Sequence, residues 1–201
     1  MKFRRIENVH ELNHFQKLTQ SYIDVLLPLE YLKRSKVIIC ENKHGEICGG
    51  FVIVMKGPFR VIDSIPEFDH ESWKNKLKDT AEITGLWLDS DFSKRTSSLK
   101  FWLKVYSEMI LTRKKYFTYA WSLKKPKLGE IYSHANPTVL FRGATKILPG
   151  MKEADNESVE LVRRTNLVLT PFVKPSFILK RLKGGRSLKE HNQHKPQIVG
   201  Q

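Results

Sequence analysis

Cysteine is scarce in this sequence: among its 201 residues only Cys40 and Cys48 occur. They flank a predicted turn, and the simplest pairing of the two flanking runs sets Cys40 against Ile47 and Cys48 against Ile39. That pairing places the two thiols on opposite faces of a sheet, so we expect no disulfide. Cysteine and histidine at metal-ligand spacing are lacking as well, and we therefore expect no bound metal.

Long apolar runs are also missing. No stretch approaches the roughly 20 consecutive apolar residues that a membrane-spanning helix needs, so we expect no membrane span. Residues 1–10 contain no apolar signal region. These two absences favour a cytoplasmic protein.

Acidic residues are outnumbered by basic ones, 21 to 35, and the formal net charge is +14. Such an excess favours a polyanionic partner, namely nucleic acid, a phosphorylated cofactor, an acidic carrier protein or an anionic membrane surface. Part of the charge lies in residues 184–201, which lack an apolar stripe that could pack and are predicted to form a disordered basic tail. The hydrophobic share of 40% fits one well-cored domain over residues 1–183.

The first half of the chain predicts a strand, two helices and a hairpin, in that order. Asn8 offers a helix cap with Glu11 three residues on, and the helical spacing that follows ends at Pro28. Two β-rich runs, 37–40 and 47–55, then surround a Gly-containing turn. The connection over residues 57–80 is long and carries apolar side chains. It either builds an acceptor or acyl-chain pocket or covers one edge of the sheet.

Residues 83–110 form the stretch around which the rest of the predicted fold is organised. An apolar run, residues 83–88, predicts a buried central strand, and an amphipathic helix follows a short polar turn. Hydroxyl side chains that could cap this helix cluster in the turn and at the helix start: Ser93, Thr96, Ser97 and Ser98. The first amides of a helix, together with its dipole, suit an anion, and Lys94 and Arg95 add positive charge. The helix is expected to pack through Leu99, Trp102, Leu103, Tyr106 and Ile110.

This order of strand, turn and helix resembles the fourth strand and pyrophosphate loop of the Gcn5-related N-acetyltransferase (GNAT) superfamily. The glycine positions of that family's loop fall here on Thr96 and Ser98, so small residues stand where glycines are expected. The resemblance implies an α+β, three-layer fold with a mixed, largely antiparallel central sheet flanked by helices. It also implies a donor, acyl-CoA or an acyl carrier protein, whose pantetheine bonds to the backbone of Leu86, Trp87 and Leu88. The pyrophosphate would lie on the amides of Thr96, Ser97 and Ser98.

Tyr132 stands where the family often has a tyrosine that protonates the departing thiolate, near the end of a helix predicted to begin at Pro126. The alternative is an aromatic side chain that packs on the sheet. Asp89, at the mouth of the fourth strand, is the candidate that accepts the proton of the attacking amine, and its alternative role is an Asx turn. Glu130 and His134 are weaker candidates for this role.

The resemblance thus implies an N-acyltransferase that moves an acyl group from a pantetheine thioester to an amine by direct attack. Two alternatives remain open at this point. One is a GNAT-fold protein that binds a partner without catalysis. The other is a basic nucleic-acid-binding protein, which would use the aromatic run 116–121, although that run is more typical of a buried strand than of a stacking surface.

Overall fold

One mixed sheet organises the chain. The computed structural model describes residues 1–92 and 95–173, so the predicted tail, residues 184–201, lies outside the described residues. Seven strands pair in the order β1-β2-β3-β4-β5-β7-β6, and every neighbouring pair is antiparallel except β4 with β5. The strands are β1 Lys2–Ile6, β2 Lys36–Glu41, β3 Ile47–Val54, β4 Thr80–Leu88, β5 Tyr116–Ser122, β6 Thr138–Ala144 and β7 Asn156–Arg163.

Helices cover both faces of this sheet and complete three layers. The helices are α1 Val9–Ile23, α2 Leu29–Lys33, α3 Arg60–Asp63, α4 His70–Lys78, α5 Arg95–Leu111, α6 Pro126–Ser133 and α7 Arg164–Val173. One core includes Phe15 of α1 and Ile62 of α3, and the other includes Phe101 and Met109 of α5. We call these sides the α1 face and the α5 face. The predicted capped first helix and the short second helix are both present, and the Asn8 side chain accepts from the His10 amide at 2.8 Å.

The two central strands, β4 and β5, run parallel for only three residue pairs. Thr80, Ala81 and Glu82 pair with residues 116–118, and the strands then part. A turn of the β4 backbone accompanies the parting, because Gly85 adopts φ +57° beside a register shift between β3 and β4. A Cβ at Gly85 would lie 2.9 Å from Leu27 Cδ1, so both conformation and space favour glycine here. The two strands therefore diverge beyond Glu82.

The cysteine pair lies differently from the prediction. A bulge beside Glu41 sets Cys40 opposite Gly49 and shifts Cys48 onto the same face of the sheet. The two buried sulfurs lie 3.8 Å apart as free thiols. The prediction of opposite faces was wrong because one extra residue in a hairpin strand exchanges the faces beyond it.

Helix α5 buries a different stripe from the predicted one. Phe101, Val105 and Met109 face the sheet, each at 6% exposure or less, whereas Leu103 is 58% and Ile110 is 40% exposed. Apolar residues occur all around this helix, so its periodicity favours no single face, and the packing of the sheet decides.

The Val- and Leu-rich run over residues 159–169, near the end of the described chain, is divided between a strand and a helix. Strand β7 ends at Arg163, and α7 begins at Arg164. Leu167 and Thr170 are buried at helical spacing, and Thr170 Oγ1 donates to the Asn166 carbonyl at 2.6 Å. A run rich in Val, Leu and Thr suits a strand by propensity, and tertiary packing overrides that preference here.

Candidate functional site

A cavity of about 780 Å³ lies where β4 and β5 part. Ile83, Gly85 and Leu86 border it from β4, and Tyr119 and Ala120 border it from β5. Because consecutive residues of a strand face opposite sides, these neighbours show that the cavity reaches both faces of the sheet. It therefore runs through the sheet, between two strand edges that do not pair with each other at this point.

The two ends of the cavity differ in chemistry. On the α5 face its walls are apolar and come from three elements: Val105 and Met109 of α5, Ala135 after α6, and Leu167 of α7. We call this the apolar arm. On the α1 face the walls include charged and hydroxyl side chains, and we call this the polar arm. Its polar lining includes Asp24, Arg60, Ser64, Ser122, Lys124 and Asp155.

Tyr132 lies at the wall of this cavity, as one face of α6 packs on β5. The helix begins with Pro126 at its first turn, which fits a residue without a backbone N–H. Gly129 lets the helix approach the strand closely, because a Cβ there would lie 2.3 Å from Cη2 of Trp121. The Tyr132 ring lies 6.4 Å from the ring of Trp102 on α5, edge to face.

Beneath Tyr132 lies a buried polar cluster on β5 and β7. Glu160 Oε1 accepts from Trp121 Nε1 and from Ser158 Oγ, both at 2.9 Å. Its Oε2 and the Tyr119 hydroxyl have no hydrogen-bond partner among the described residues. Burial, followed by the charge of Glu160, raises the pKa of Tyr119. Tyr119 therefore stays neutral and keeps its proton at the cavity wall.

Comparison with protein-family models gives no match, and comparison with curated proteins gives none either. Solved structures do match. FeeM, an N-acyl amino acid synthase from uncultured soil microbes, has a TM-score of 0.61 at 15% identity, over 85% of this chain and 97% of that one. A mutant of the spermidine N-acetyltransferase SpeG from Vibrio cholerae has a TM-score of 0.54 at 7% identity, over 84% and 98%.

A third structure is YncA, a putative acetyltransferase from Salmonella typhimurium solved with acetyl-CoA, at a TM-score of 0.50, 10% identity and 82% and 94% coverage. The chain has the GNAT fold. The resemblance stated from the sequence and the predicted α+β class are both confirmed at this level. Because identities of 15% or less carry the fold alone, the residues of this chain must carry any argument about its chemistry.

In the GNAT fold the open edge of the fourth strand is where a pantetheine chain would add, and this chain has such an edge. Leu86 borders the cavity. Trp87 is buried on the α1 face, where its ring stacks on Tyr22 with 4.2 Å between centroids. Leu88 packs against the core of the α5 face. The pairing of β4 with β5 stops at Glu82, so residues 83–88 meet no strand on that side in the described ladder.

Only part of the predicted diphosphate loop lies within the described residues. Ser93 and Lys94 lie outside the described residues, and α5 begins at Arg95. Thr96, Ser97 and Ser98 therefore belong to its first turn, where backbone amides lack partners within the helix. The 17-residue length of α5 supports a substantial helix dipole at this end. Whether these residues hold a diphosphate stays a prediction.

Asp89 makes local contacts that fit its alternative role. Its Oδ1 accepts from the Asp91 amide at 2.9 Å, which is an Asx turn, and its Oδ2 accepts from the Tyr22 hydroxyl at 2.7 Å. Asp89 is not among the residues that line the cavity. Burial and then the bond to Asp89 raise the pKa of Tyr22 to about 12, so this hydroxyl keeps its proton. The proposed role of Asp89 as a base stays a prediction.

Sequence reasoning missed a second buried cluster, on the α1 face at the point where the strands part. The Tyr31 hydroxyl donates to Glu82 Oε1 at 2.6 Å, and Glu82 Oε2 has no partner among the described residues. Burial raises the pKa of Glu82 to about 7. The guanidinium of Arg60 lies 5.7 Å from the Tyr31 ring and borders the polar arm. A glutamate inside an apolar strand run was the available signal for this cluster.

Three further expectations concern a bound metal, a membrane-spanning helix and a nucleic-acid-binding surface. In the part of the chain that the structure describes, no three potential metal-ligating side chains come together. None of the helices in residues 1–92 and 95–173 is long and apolar enough to cross a membrane. The aromatic run on β5 lies largely in the interior, with Phe117 at 0% and Tyr119 at 9% exposure, and so does not form a stacking surface for bases.

Proposed function

We propose that this chain is an N-acyltransferase that moves an acyl group from a pantetheine thioester to an amine by direct attack. The donor is acyl-CoA or an acyl carrier protein, since both present the same pantetheine arm. The observation that carries the proposal is the cavity between the parted strands, with Leu86 of β4 on one side and Tyr132 of α6 on its wall. An open strand edge and a proton donor thus border one space.

The chain's residues fit the needs of this reaction. The amine nitrogen forms a bond to the thioester carbonyl carbon, the carbon–sulfur bond breaks, and the amine gives up a proton. The unpaired edge of β4 offers backbone N–H groups for the carbonyl oxygen, whose negative charge grows during attack. In this mechanism Tyr132 donates its proton to the leaving sulfur, and Asp89 or water accepts the proton of the amine.

The two arms separate the two substrates. The apolar arm takes the acyl chain, because burying its methylene groups is favourable by about 0.8 kcal/mol each. The polar arm takes the acceptor, which must reach the thioester through the gap between β4 and β5. FeeM is an N-acyl amino acid synthase and SpeG is a spermidine N-acetyltransferase, so acceptors with and without a carboxylate occur on this fold.

The test is a turnover screen with the purified chain. Acyl-CoA donors of two to sixteen carbons are combined with a mixture of amines, release of free thiol is followed, and products are identified by mass spectrometry. We expect amide products and a preference for chains long enough to fill the apolar arm. Val105→Trp should shift that preference to shorter chains, because Val105 is 2% exposed and borders the arm.

Calorimetry with nonreactive donor analogues separates the remaining possibilities. Donor binding without any amide product would favour the catalytically inactive binding protein. If the protein binds no pantetheine compound, either as a coenzyme A ester or on a carrier protein, the proposal is wrong.

A further inference from the structure

Two arginines flank the ring of Tyr31 and differ in what they bond. The Arg34 guanidinium lies 5.0 Å from the ring centroid, and its Nη1 donates to the Lys56 carbonyl at 2.7 Å while Nη2 donates to the Pro58 carbonyl. Arg34 is thus engaged in holding a loop. It does not line the cavity.

Arg60 presents the opposite case. It borders the polar arm at the start of α3, and its guanidinium makes no hydrogen bond and no ion pair with any residue in 1–92 or 95–173. Burial lowers the pKa of Arg60, and Glu82 and Tyr31 counteract the effect without touching the guanidinium. An arginine stays protonated in proteins, so a half-buried fork of five donors faces the cavity without an acceptor.

The surroundings of Arg60 hold it in this position. Tyr31 supplies the aromatic face, and Glu82 supplies a buried carboxyl that is bonded to the Tyr31 hydroxyl. Val61, the next residue, is 8% exposed and anchors α3 in the core. The side chain therefore projects from a fixed backbone, which is the condition for recognising a planar anion through two parallel hydrogen bonds.

The other charges of the polar arm are largely compensated. Lys124 pairs with Asp155 at 3.2 Å, and Asp155 also accepts from the Asn156 amide at 2.9 Å. Glu157 accepts from Thr145 Oγ1 at 3.3 Å, and burial raises the pKa of Glu157, which favours its neutral form. Asp24 and Glu153 add negative charge at the wall, beside Lys125 and Lys152. This rim is mixed in sign. On the α3 side the charge of Asp63 acts on Arg60 from a distance, but Asp63 pairs with His70 and does not bond to the guanidinium.

We infer that Arg60 binds the carboxylate of the acceptor, so that the acceptor is an amine that also carries a carboxylate, as an amino acid does, and not a polycation. The inference rests on the proposed function and specifies its second substrate. The guanidinium and the carboxylate form a charge-assisted bidentate pair, and this pair turns the amine toward the gap beside Leu86. Arg60 is then a residue that determines acceptor specificity.

The experiment compares three acceptors of one shape: leucine, leucinamide and 3-methylbutylamine. Turnover of each is measured with wild type, Arg60→Gln and Arg34→Gln. Intrinsic amine reactivity cancels in the ratio of wild type to variant for a given acceptor. Arg60→Gln should lower kcat/KM for leucine by about 30-fold and change the value for the two analogues that lack the carboxylate by less than about threefold. Arg34→Gln removes the same charge beside the same ring and should leave the preference for leucine intact.

A binding measurement without turnover accompanies this comparison. Calorimetry with N-dodecanoyl-leucine and its carboxamide should show tighter binding of the carboxylate in wild type, and Arg60→Gln should abolish the difference. If the chain turns over no donor but still shows this Arg60-dependent difference, the carboxylate site stands and the acyltransferase proposal fails. If turnover is found but the two ligands bind alike, or spermidine is preferred, the carboxylate site is overturned and the activity stands.

Arg60→Lys covers the case in which the Gln variant does not fold. Lysine keeps the charge but loses the fork, so kcat/KM for leucine should fall part of the way towards that of the Gln variant, and kcat/KM for the two analogues should not rise. A Lys variant that folds and discriminates as wild type does would exclude bidentate recognition.

Discussion

The rings of Tyr119 and Tyr132 lie against each other at the wall of the cavity, with 4.8 Å between their centroids. Tyr119 belongs to the central sheet and is 9% exposed, whereas Tyr132 belongs to a short surface helix. The sheet thus sets the position of the helix side chain. A proton donor for the leaving sulfur needs such fixed placement, because small displacements slow the reaction strongly.

Replacing Tyr132 by Phe keeps this ring contact and removes the hydroxyl. We expect kcat to fall by about 100-fold, the lower end of what general acid catalysis contributes, because a thiol is a fairly acidic leaving group. Donor affinity and melting temperature should change little. Tyr116→Phe is the matched control, since Tyr116 does not line the cavity. Full activity of Tyr132→Phe would leave Asp89 or water as the remaining proton-transfer groups.

The charge of the predicted diphosphate loop can be tested by reversal. Changing Lys94 and Arg95 together to Glu should weaken binding of coenzyme A more than about tenfold, or about 1.4 kcal/mol, because α5 begins at Arg95 and Lys94 directly precedes it in the sequence. The control reverses two exposed lysines outside this loop, Lys17 of α1 and Lys78 at the end of α4, and changes the net charge equally. Equal affinity of the two double variants in calorimetry would show that the diphosphate binds elsewhere.

Gly129 links the stability of α6 to the reaction. In Gly129→Ala the new Cβ would approach Trp121 to within 2.5 Å at two ring atoms, so the helix must move away from β5. Overpacking costs about 1–3 kcal/mol, which exceeds the gain of about 1 kcal/mol in helix propensity. Both the melting temperature and kcat should fall, because Tyr132 lies on the same helix.

A double-variant cycle checks this interpretation of Gly129. Trp121→Phe removes the ring atoms that the new Cβ would meet. Gly129→Ala should therefore lower the free energy of unfolding less in the Trp121→Phe background than it does in wild type. Additive losses would place the origin of the Gly129 effect away from Trp121.

Glu82 predicts a specific dependence of stability on pH. Its pKa rises from 4.5 to about 7 in the folded protein because the carboxyl is buried. Between these values the folded state holds a proton that the unfolded chain releases, so this contribution is complete below pH 4.5 and is lost as pH rises toward 7. The loss amounts to about 3 kcal/mol.

Urea unfolding at pH 5, 6, 7 and 8 measures the effect. The free energy of unfolding of wild type relative to Glu82→Gln should decrease as pH rises through this range. Glu71→Gln, at an exposed side chain, should give a curve parallel to that of wild type. Parallel curves for Glu82→Gln as well would contradict the raised pKa.

The order of elements could be predicted from the sequence because local signals mark it. Asn8 caps α1, Gly45 closes the hairpin with φ +84°, and Pro126 opens α6. The buried face of each element and the residue at which it ends were harder to predict from the sequence. The stripe of α5 around Phe101, the bulge beside Glu41 and the helix that follows Arg163 all depend on packing between elements distant in sequence.

Some residues of the candidate site could likewise be predicted from the sequence, and others could not. Tyr132 was named because the resemblance to the GNAT superfamily implied a tyrosine near the end of this helix, and it does border the cavity. Arg60 and Tyr31 come together only through the folded sheet, since they are 29 positions apart and no short motif contains both. The buried carboxyl of Glu82 at the parting of the strands would have required knowledge of where β5 pairs with β4.

The short parallel ladder between β4 and β5 has a mechanical consequence. It joins a four-stranded half of the sheet, β1 to β4, to a three-stranded half, β5 to β7, through three residue pairs. Such a seam is where local opening is easiest, and amides of β5 that face β4 should therefore exchange their hydrogens faster than those that face β7. A ligand bound in the gap contacts both halves of the sheet and holds them together. Its binding should therefore slow hydrogen exchange of the amides between β4 and β5 before any bond is made or broken.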